Sequence, residues 1–209
     1  TWDAMFIFRS GMTQKDWDMI EDSGCKALYI GIESGSEAVR THMKKHFTNQ
    51  CMYDSIEQLG ERGINMTFLM MVGYPTETED DFLDTLKLFH FASKYKKLVE
   101  VRTQIVMIVR GAPLYTDVDW YGHAEVWRYV NAEGELTYTE RYARWKEATE
   151  AVEAFGLKQD RRINQLGEVL KLRLTKEKSY DHEDIKDIQI PVEQTLHATD
   201  SLILSNSQS

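Results

Sequence analysis

The chain has 209 residues and a formal net charge of -9, with 25 Lys and Arg against 34 Asp and Glu. Its 42% hydrophobic and 28% charged residues are typical of a folded globular protein and exclude a wholly disordered chain. Its 2 cysteines cannot build a disulfide scaffold, and no stretch approaches the roughly 18 apolar residues of a membrane span. The acidic balance argues against broad contact with the phosphate backbone of nucleic acids.

Strands and helices alternate from the first residues onward. An apolar run at 4–8 predicts a first strand, and Thr13 with Asp16 predicts the capping box of a helix. A second strand is predicted at 27–32, and Ser36 is expected to cap the helix after it. This order indicates βαβ units.

The third predicted strand, 66–72, has the clearest pattern. It is a nearly continuous apolar run, which predicts burial on both faces in a parallel sheet. Thr78 is expected to cap the next helix, whose inner face carries Phe82 and Phe89, and a fourth strand is predicted at 101–109. Right-handed βαβ units of this kind occur in both doubly wound sheets and (β/α) barrels.

The pattern changes at 116–138, where short segments between glycines show no clear period. A helix is predicted from Thr139 and another from about 161 to 174, and the polar residues after them are expected to be poorly ordered. The predicted organisation is therefore four βα units at 1–115, a mostly helical extension at 116–175 and a polar acidic tail at 176–209.

In parallel sheets, binding sites form in the loops that follow the carboxyl ends of the strands. The loop after the second strand, 31–37, contains Glu33, whose carboxylate can accept two hydrogen bonds from a sugar diol. The same carboxylate can instead serve only the positive end of the following helix. Glu77, in the loop 73–78, presents the same two alternatives.

Three segments in a fixed order carry a family resemblance. Gly-Ile-Glu-Ser-Gly-Ser-Glu at 31–37 is followed one helix later by Met-Lys-Lys at 43–45. Met-Val-Gly-Tyr-Pro-Thr-Glu-Thr-Glu-Asp-Asp-Phe stands at 71–82, and Gly-Ala-Pro-Leu-Tyr at 111–115. In this order they resemble the fourth-strand, fifth-strand and sixth-strand segments of the radical SAM superfamily, over roughly residues 1–115. The variant is most similar to the cobalamin-binding and methylthiotransferase-like branches.

The resemblance implies an α/β fold, namely a partial (β/α) barrel fragment with parallel strands and a C-terminal helical extension. This chain would supply the last four of six barrel strands. The parent enzyme would bind S-adenosylmethionine across the strand ends and cleave it reductively with a [4Fe-4S] cluster to act on an unknown substrate, small or macromolecular. A reductant protein would serve that parent, cobalamin is possible in it, and its implied location is cytoplasmic, with no membrane partner.

The resemblance also implies a set of site residues. Glu33 and Ser34 would face the ribose, and the backbone at 72–75 and 109–111 would line the adenine. The cofactor-binding residues that we predict are Arg9, Glu33, Ser34, Gly35, Ser36, Val72, Gly73, Pro75 and Arg110.

Arg9 and Arg110 stand at matching strand ends and would meet a carboxylate or the substrate. Glu77 is interpreted as shaping its turn rather than touching a ligand. Thr76 stands where many relatives have glycine, which reduces the freedom of the backbone at this turn.

The cysteine motif CxxxCxxC, which holds the [4Fe-4S] cluster in the superfamily, is absent. Cys25 and Cys51 are 26 positions apart and cannot replace it. We therefore expect the cluster-binding part to lie upstream of Thr1 and this chain alone to be catalytically inactive. No catalytic or metal-ligating residue is predicted, and binding of S-adenosylmethionine is expected to be weak at best.

Two alternatives remain open from the residues. The chain can be a non-catalytic α/β ligand-binding or scaffold protein that lacks cluster chemistry. It can also be a sugar- or nucleotide-binding enzyme of another (β/α) barrel type, for which only Glu33 and Glu77 are placed as an acid/base pair.

Overall fold

A computed structural model describes residues 1–117, 120–121, 127–131 and 134–180. The strands are β1 (Trp2–Phe6), β2 (Cys25–Glu33), β3 (Asn65–Val72), β4 (Val99–Ile105), β5 (Trp120–Tyr121), β6 (Arg128–Asn131), β7 (Gly134–Leu136) and β8 (Lys158–Gln159). The helices are α1 (Gln14–Asp22), α2 (Glu37–His42), α3 (Asn49–Glu61), α4 (Glu79–Ala92), α5 (Pro113–Asp117), α6 (Tyr138–Ala154) and α7 (Ile163–Tyr180). None of the described helices is long and apolar enough to cross a membrane.

The main sheet is parallel, with the strand order β1-β2-β3-β4-β8. Its first four strands follow the order of the chain and are joined by helices, which confirms the predicted α/β fold with parallel strands. A fifth strand, β8, pairs with Glu100 and Val101 of β4 through Lys158 and Gln159. Sequence reasoning missed β8 because two residues are too few to show a period.

Helix caps fix where the helices of this sheet begin. Thr13 and Thr78 are the predicted caps of α1 and α4, and each forms a capping box, with Asp16 and Asp81 respectively. Ser36 accepts a hydrogen bond from the Val39 N–H as the cap of α2. The predicted start of α6 at Thr139 is wrong, because Thr137 is the cap and forms a capping box with Glu140.

Two strand boundaries also differ from the predictions. The first strand covers Trp2–Phe6 rather than 4–8. The predicted end of the fourth strand at Val109 is wrong, because after Ile105 only the Val106 N–H still bonds to β3, at the Val72 carbonyl, 3.0 Å away.

The core lies on one face of the sheet. Met66, Phe68, Met70 and Val72 of β3 are buried there, together with side chains from α1, α3, α4 and α6. The alternate residues 67, 69 and 71 are only partly buried. The expectation that both faces of this strand are buried is therefore wrong, since the opposite face of the sheet is half-open.

The segment after β4 is not purely helical. β5, β6 and β7 form a small antiparallel sheet, and Trp127 is buried beside it against Val106 and Ile108. α7 extends to Tyr180, beyond the predicted end at 174, and the rest of the predicted tail, 181–209, lies outside the described residues.

Candidate functional site

The carboxyl ends of β2 and β3 bring two of the predicted loops side by side. β2 pairs with β3 as far as Glu33 and Met70, across a register shift that follows Gly31. Beyond the strands, the Gly35 N–H donates to Thr85 Oγ1 of α4 at 2.9 Å. The loop after β2 is thereby attached to the helix that follows β3.

Glu33 lies at this edge, where its carboxylate meets a cation. Lys45 Nζ donates to Glu33 Oε1 at 2.8 Å, and the two side chains are 26% and 19% exposed. The pair is therefore accessible to a ligand, although Glu33 is already engaged on one of its oxygens. The sequence predicts Glu33 as a site residue, but it does not predict that Lys45 pairs with it.

Ser34 and Ser36 are buried and bonded within the protein. Ser34 Oγ accepts from the Ser36 N–H at 3.1 Å, and the Ser34 carbonyl accepts from Arg40 at 2.8 Å. Ser36 Oγ donates to Asp81 in addition to capping α2. Both serines hold the start of α2 in place. The expected contact of Ser34 with a ribose and the cofactor-binding role of Ser36 stay predictions.

Gly35 is buried against α4. A Cβ at this position would lie 2.4 Å from the Asp84 carbonyl oxygen and 2.5 Å from Thr85 Cα. The missing side chain therefore permits the close approach of loop and helix, and any ligand contact of Gly35 stays a prediction.

The turn after β3 is closed by Glu77. The Gly73 N–H donates to Glu77 Oε2 at 2.7 Å, which confirms the interpretation that Glu77 shapes this turn. Gly73 has φ +72°, and a Cβ there would lie 2.3 Å from Cγ of Arg141. Val72 and Pro75 are buried beside it, so their predicted role is limited to backbone atoms.

Glu77 is fully buried and meets a cation from the extension. Arg144 of α6 donates to Glu77 Oε2 at 3.1 Å and to its carbonyl at 2.9 Å. Burial raises the pKa of Glu77 to about 7, against the lowering effects of the Gly73 N–H and Arg144. Sequence reasoning missed Arg144, because 67 residues separate it from Glu77 and no local pattern connects them.

A groove of about 1100 Å³ opens at the same edge of the sheet. Met71 and Tyr74 border it from the end of β3 and the turn after it, and Val106 and Leu114 border it from the segment after β4. The side of α2 closes it, with His42 and Tyr74 ring centroids 6.3 Å apart. The groove thus lies between the two segments that are expected to line an adenine.

Within the described chain, neither of the two predicted arginines forms a hydrogen bond or an ion pair with Glu33. Arg9 is exposed and lines a separate hollow beside β1, together with Met5 and Ile7. Arg110 is exposed two residues before Ala112, which borders the groove. Their contact with a carboxylate or substrate stays a prediction.

An iron-sulfur cluster does not fit the residues that the structure describes. Among them, no group of three or more His, Cys, Asp or Glu residues is arranged to hold a metal ion. Cys25 is a free thiol in the core, where burial raises its pKa, and Cys51 is a free, half-buried thiol on α3.

Comparison with protein families finds a match in the first part of the chain. Residues 4–89 match the family model of the Radical SAM superfamily. The resemblance seen in the sequence is thereby confirmed. The matched segment begins within β1 and includes β2, β3, the loop with Glu33, the turn with Glu77 and most of α4.

Relatives whose names describe an activity match about a third of this chain. One tRNA-2-methylthio-N(6)-dimethylallyladenosine synthase, from Clostridium perfringens (strain SM101 / Type A), is 30% identical over 69 residues. Another, from Aquifex aeolicus (strain VF5), is 38% identical over 72 residues. Each match covers 32% of this chain but only 15% and 16% of the respective relative.

Among solved structures, the chain is similar to the radical S-adenosylmethionine methyltransferase TsrM from Kitasatospora setae, determined with cobalamin and a [4Fe-4S] cluster bound. The TM-score is 0.46 at 14% identity, over 56% of this chain and 23% of that one.

Proposed function

We propose that this chain forms the adenosyl-binding part of a radical SAM enzyme. The observation that carries the proposal is the groove between the ends of β3 and β4, which Glu33 does not itself line but to which its partner Lys45 is adjacent along the chain. Lys44, which directly precedes the partner of Glu33, borders that groove. An adenine needs an apolar slot with backbone groups at its edge, and a ribose needs an acceptor for its diol.

Each part of the site then has a defined task. The Glu33 carboxylate accepts hydrogen bonds from the ribose hydroxyls, and Arg40 and Ser36 hold the loop that carries it. The Glu77 carboxylate fixes the turn at Gly73, so that backbone atoms of this turn border the groove. In the superfamily, bound S-adenosylmethionine would supply a 5′-deoxyadenosyl radical on reductive cleavage, or a methyl group to an attacking nucleophile.

The chain by itself does not perform that cleavage. Its described residues lack a ligand set for the cluster, so the parent takes the cluster from cysteines outside this sequence and electrons from a reductant protein. We also propose that the parent enzyme is cytoplasmic. The tRNA of the relatives is not carried over, because a net charge of -9 disfavours phosphate contacts by this chain.

Calorimetric titration with S-adenosylmethionine tests the proposal. We expect wild-type protein to bind weakly, in the millimolar range, and Glu33→Gln to bind several-fold more weakly, because a neutral amide is a poorer acceptor for a diol. Glu61→Gln is the matched control, since Glu61 is exposed at the end of α3, outside the site, and it should bind as wild type does.

Three other results would contradict the proposal. Binding that Glu33→Gln leaves unchanged would remove Glu33 from the site. No binding at all would favour the scaffold alternative. Tight binding by this chain would show that the methionine end of the ligand is also gripped here.

A further inference from the structure

One ion pair at the carboxyl end of β2 has more hydrogen bonds than an ordinary surface salt bridge. Lys45 Nζ donates to Glu33 Oε1 at 2.8 Å and to the Gly31 carbonyl at 2.7 Å. Both acceptors belong to the last residues of the same strand. Two fixed acceptors define the position of the ammonium group, whereas most exposed ion pairs fluctuate.

The backbone is strained at Glu33 itself and at Lys44, the residue before Lys45. Among the described residues, Glu33 (φ +71°) and Lys44 (φ +60°) are the non-glycine residues with positive φ. Such left-handed conformations are uncommon outside glycine and concentrate at functional sites. One of them carries the carboxylate, and the other directly precedes the lysine.

The strain at Lys44 has a clear geometric consequence. The Lys44 N–H bonds to the Thr41 carbonyl and the Lys45 N–H to the Arg40 carbonyl, both at 2.9 Å, which is the Schellman ending of a helix. This ending reverses the chain after α2. The reversal directs Lys45 back toward the end of β2.

Gly31 provides the space in which the pair meets. A Cβ at Gly31 would lie 2.9 Å from Glu33 Oε1 and 3.0 Å from Lys45 Nζ. Gly31 does not have a positive φ, so its backbone does not require glycine. The missing side chain instead leaves room for the two charged groups.

We propose that Lys45 is the positioning residue for Glu33, with Gly31 providing the space, so that Glu33 reads a vicinal diol. Lys45 engages Oε1, and within the described chain Oε2 has no hydrogen-bond partner. The pair thus fixes the rotamer of the carboxylate and leaves Oε2 available to accept from the diol. This inference rests on the proposed function, because the diol is that of an adenosyl ligand.

Adenosine and 2′-deoxyadenosine are suitable probes, because they differ only in the 2′-hydroxyl and neither carries a carboxylate that Lys45 could bind directly. Ligand-observed NMR titrations give their dissociation constants. We expect wild type to prefer adenosine on the order of tenfold, the value of one hydrogen bond to a charged group. Lys45→Met should reduce the preference to about one, whereas Lys45→Arg should retain most of it.

Two further variants make the test specific. Gly31→Ala places a methyl group between the charged groups and should reduce the preference as well. Lys26→Met removes an exposed lysine from the far end of the same strand and should leave the preference unchanged. Circular dichroism of each variant shows that the fold is retained.

Every outcome decides between the two proposals. A Lys45→Met protein that keeps the wild-type preference overturns the positioning role but leaves adenosyl binding in place. Wild-type protein that binds both nucleosides equally also overturns the positioning role, because Glu33 then does not read the diol. Wild-type protein that binds neither nucleoside overturns the proposed function and this inference together.

Discussion

At the scale of single residues, the burial of Glu77 links the stability of the protein to pH. Its pKa is raised to about 7 in the fold, against an ordinary value of 4.5, because burial disfavours the charged form. The folded state therefore holds this proton more tightly than the unfolded chain. The contribution of Glu77 to stability is largest below about pH 4.5 and is lost as pH rises toward about 7.

Glu77→Gln should remove this pH dependence. Each pH unit of the window is worth about 1.4 kcal/mol, so the loss in wild type is at most roughly 3–4 kcal/mol. Urea unfolding at about pH 5 and about pH 8 measures the free energy of unfolding, which should fall less with pH in the variant. Glutamine keeps an acceptor for the Gly73 N–H, so the turn is retained.

Glu79→Gln is the matched control for this experiment. Glu79 also contacts Arg144, at 3.4 Å, but its side chain is 60% exposed. Its variant should show the wild-type pH dependence, because an exposed ion pair contributes little. Equal pH dependence in wild type and Glu77→Gln would show that Glu77 is not the group responsible.

At the scale of elements, the contact between the loop after β2 and α4 depends on Gly35. A Cβ there would meet backbone atoms of Asp84 and Thr85, which cannot move away as a flexible side chain can. Gly35→Ala should therefore destabilise the protein by about 1–3 kcal/mol, the usual cost of overpacking. Thermal or urea unfolding measures this loss.

The control for Gly35→Ala is another glycine-to-alanine change. Gly167 lies inside α7, where a Cβ would approach only the Trp145 ring, at 3.4 Å. Gly167→Ala should be neutral or stabilising by up to about 1 kcal/mol, because alanine favours helix over glycine. If Gly35→Ala is equally well tolerated, the loop and α4 are not in the close contact that the structure shows.

Among the elements, the helix caps are the features that the sequence predicts best. The caps Thr13, Ser36 and Thr78 are predicted correctly because each depends on residues at most three positions away. The sequence also predicts that Glu33 and the turn at Gly73 lie at the same edge of the sheet, because the carboxyl ends of consecutive parallel strands meet there.

The contacts that the sequence does not predict are distant along the chain. Arg144 reaches Glu77 from α6, and β8 joins β4 from beyond residue 150. The half-open face of β3 is also not predictable from its apolar run, because burial depends on what covers the strand rather than on its composition.

At the scale of the whole molecule, β1 forms an edge of the main sheet. Within the described chain it pairs only with β2. Beside it, the side chains of Met5 and Ile7 are 68% and 61% exposed, and Met19 on α1 is 59% exposed. An exposed apolar strand edge is a template for pairing with another chain. The net charge of -9 opposes this association at low salt.

Self-association through this edge should therefore increase with protein concentration and with salt, which screens the repulsion between copies. Met5→Lys together with Ile7→Lys should suppress it, because lysines on an edge strand oppose pairing. Sedimentation velocity at several concentrations measures the effect.

Leu172→Lys is a control for added lysine, since Leu172 is 62% exposed on α7, away from the edge. A wild-type protein that stays monomeric at high salt and high concentration would show that this edge does not pair, and equal suppression by Leu172→Lys would attribute the effect to added lysine rather than to the edge.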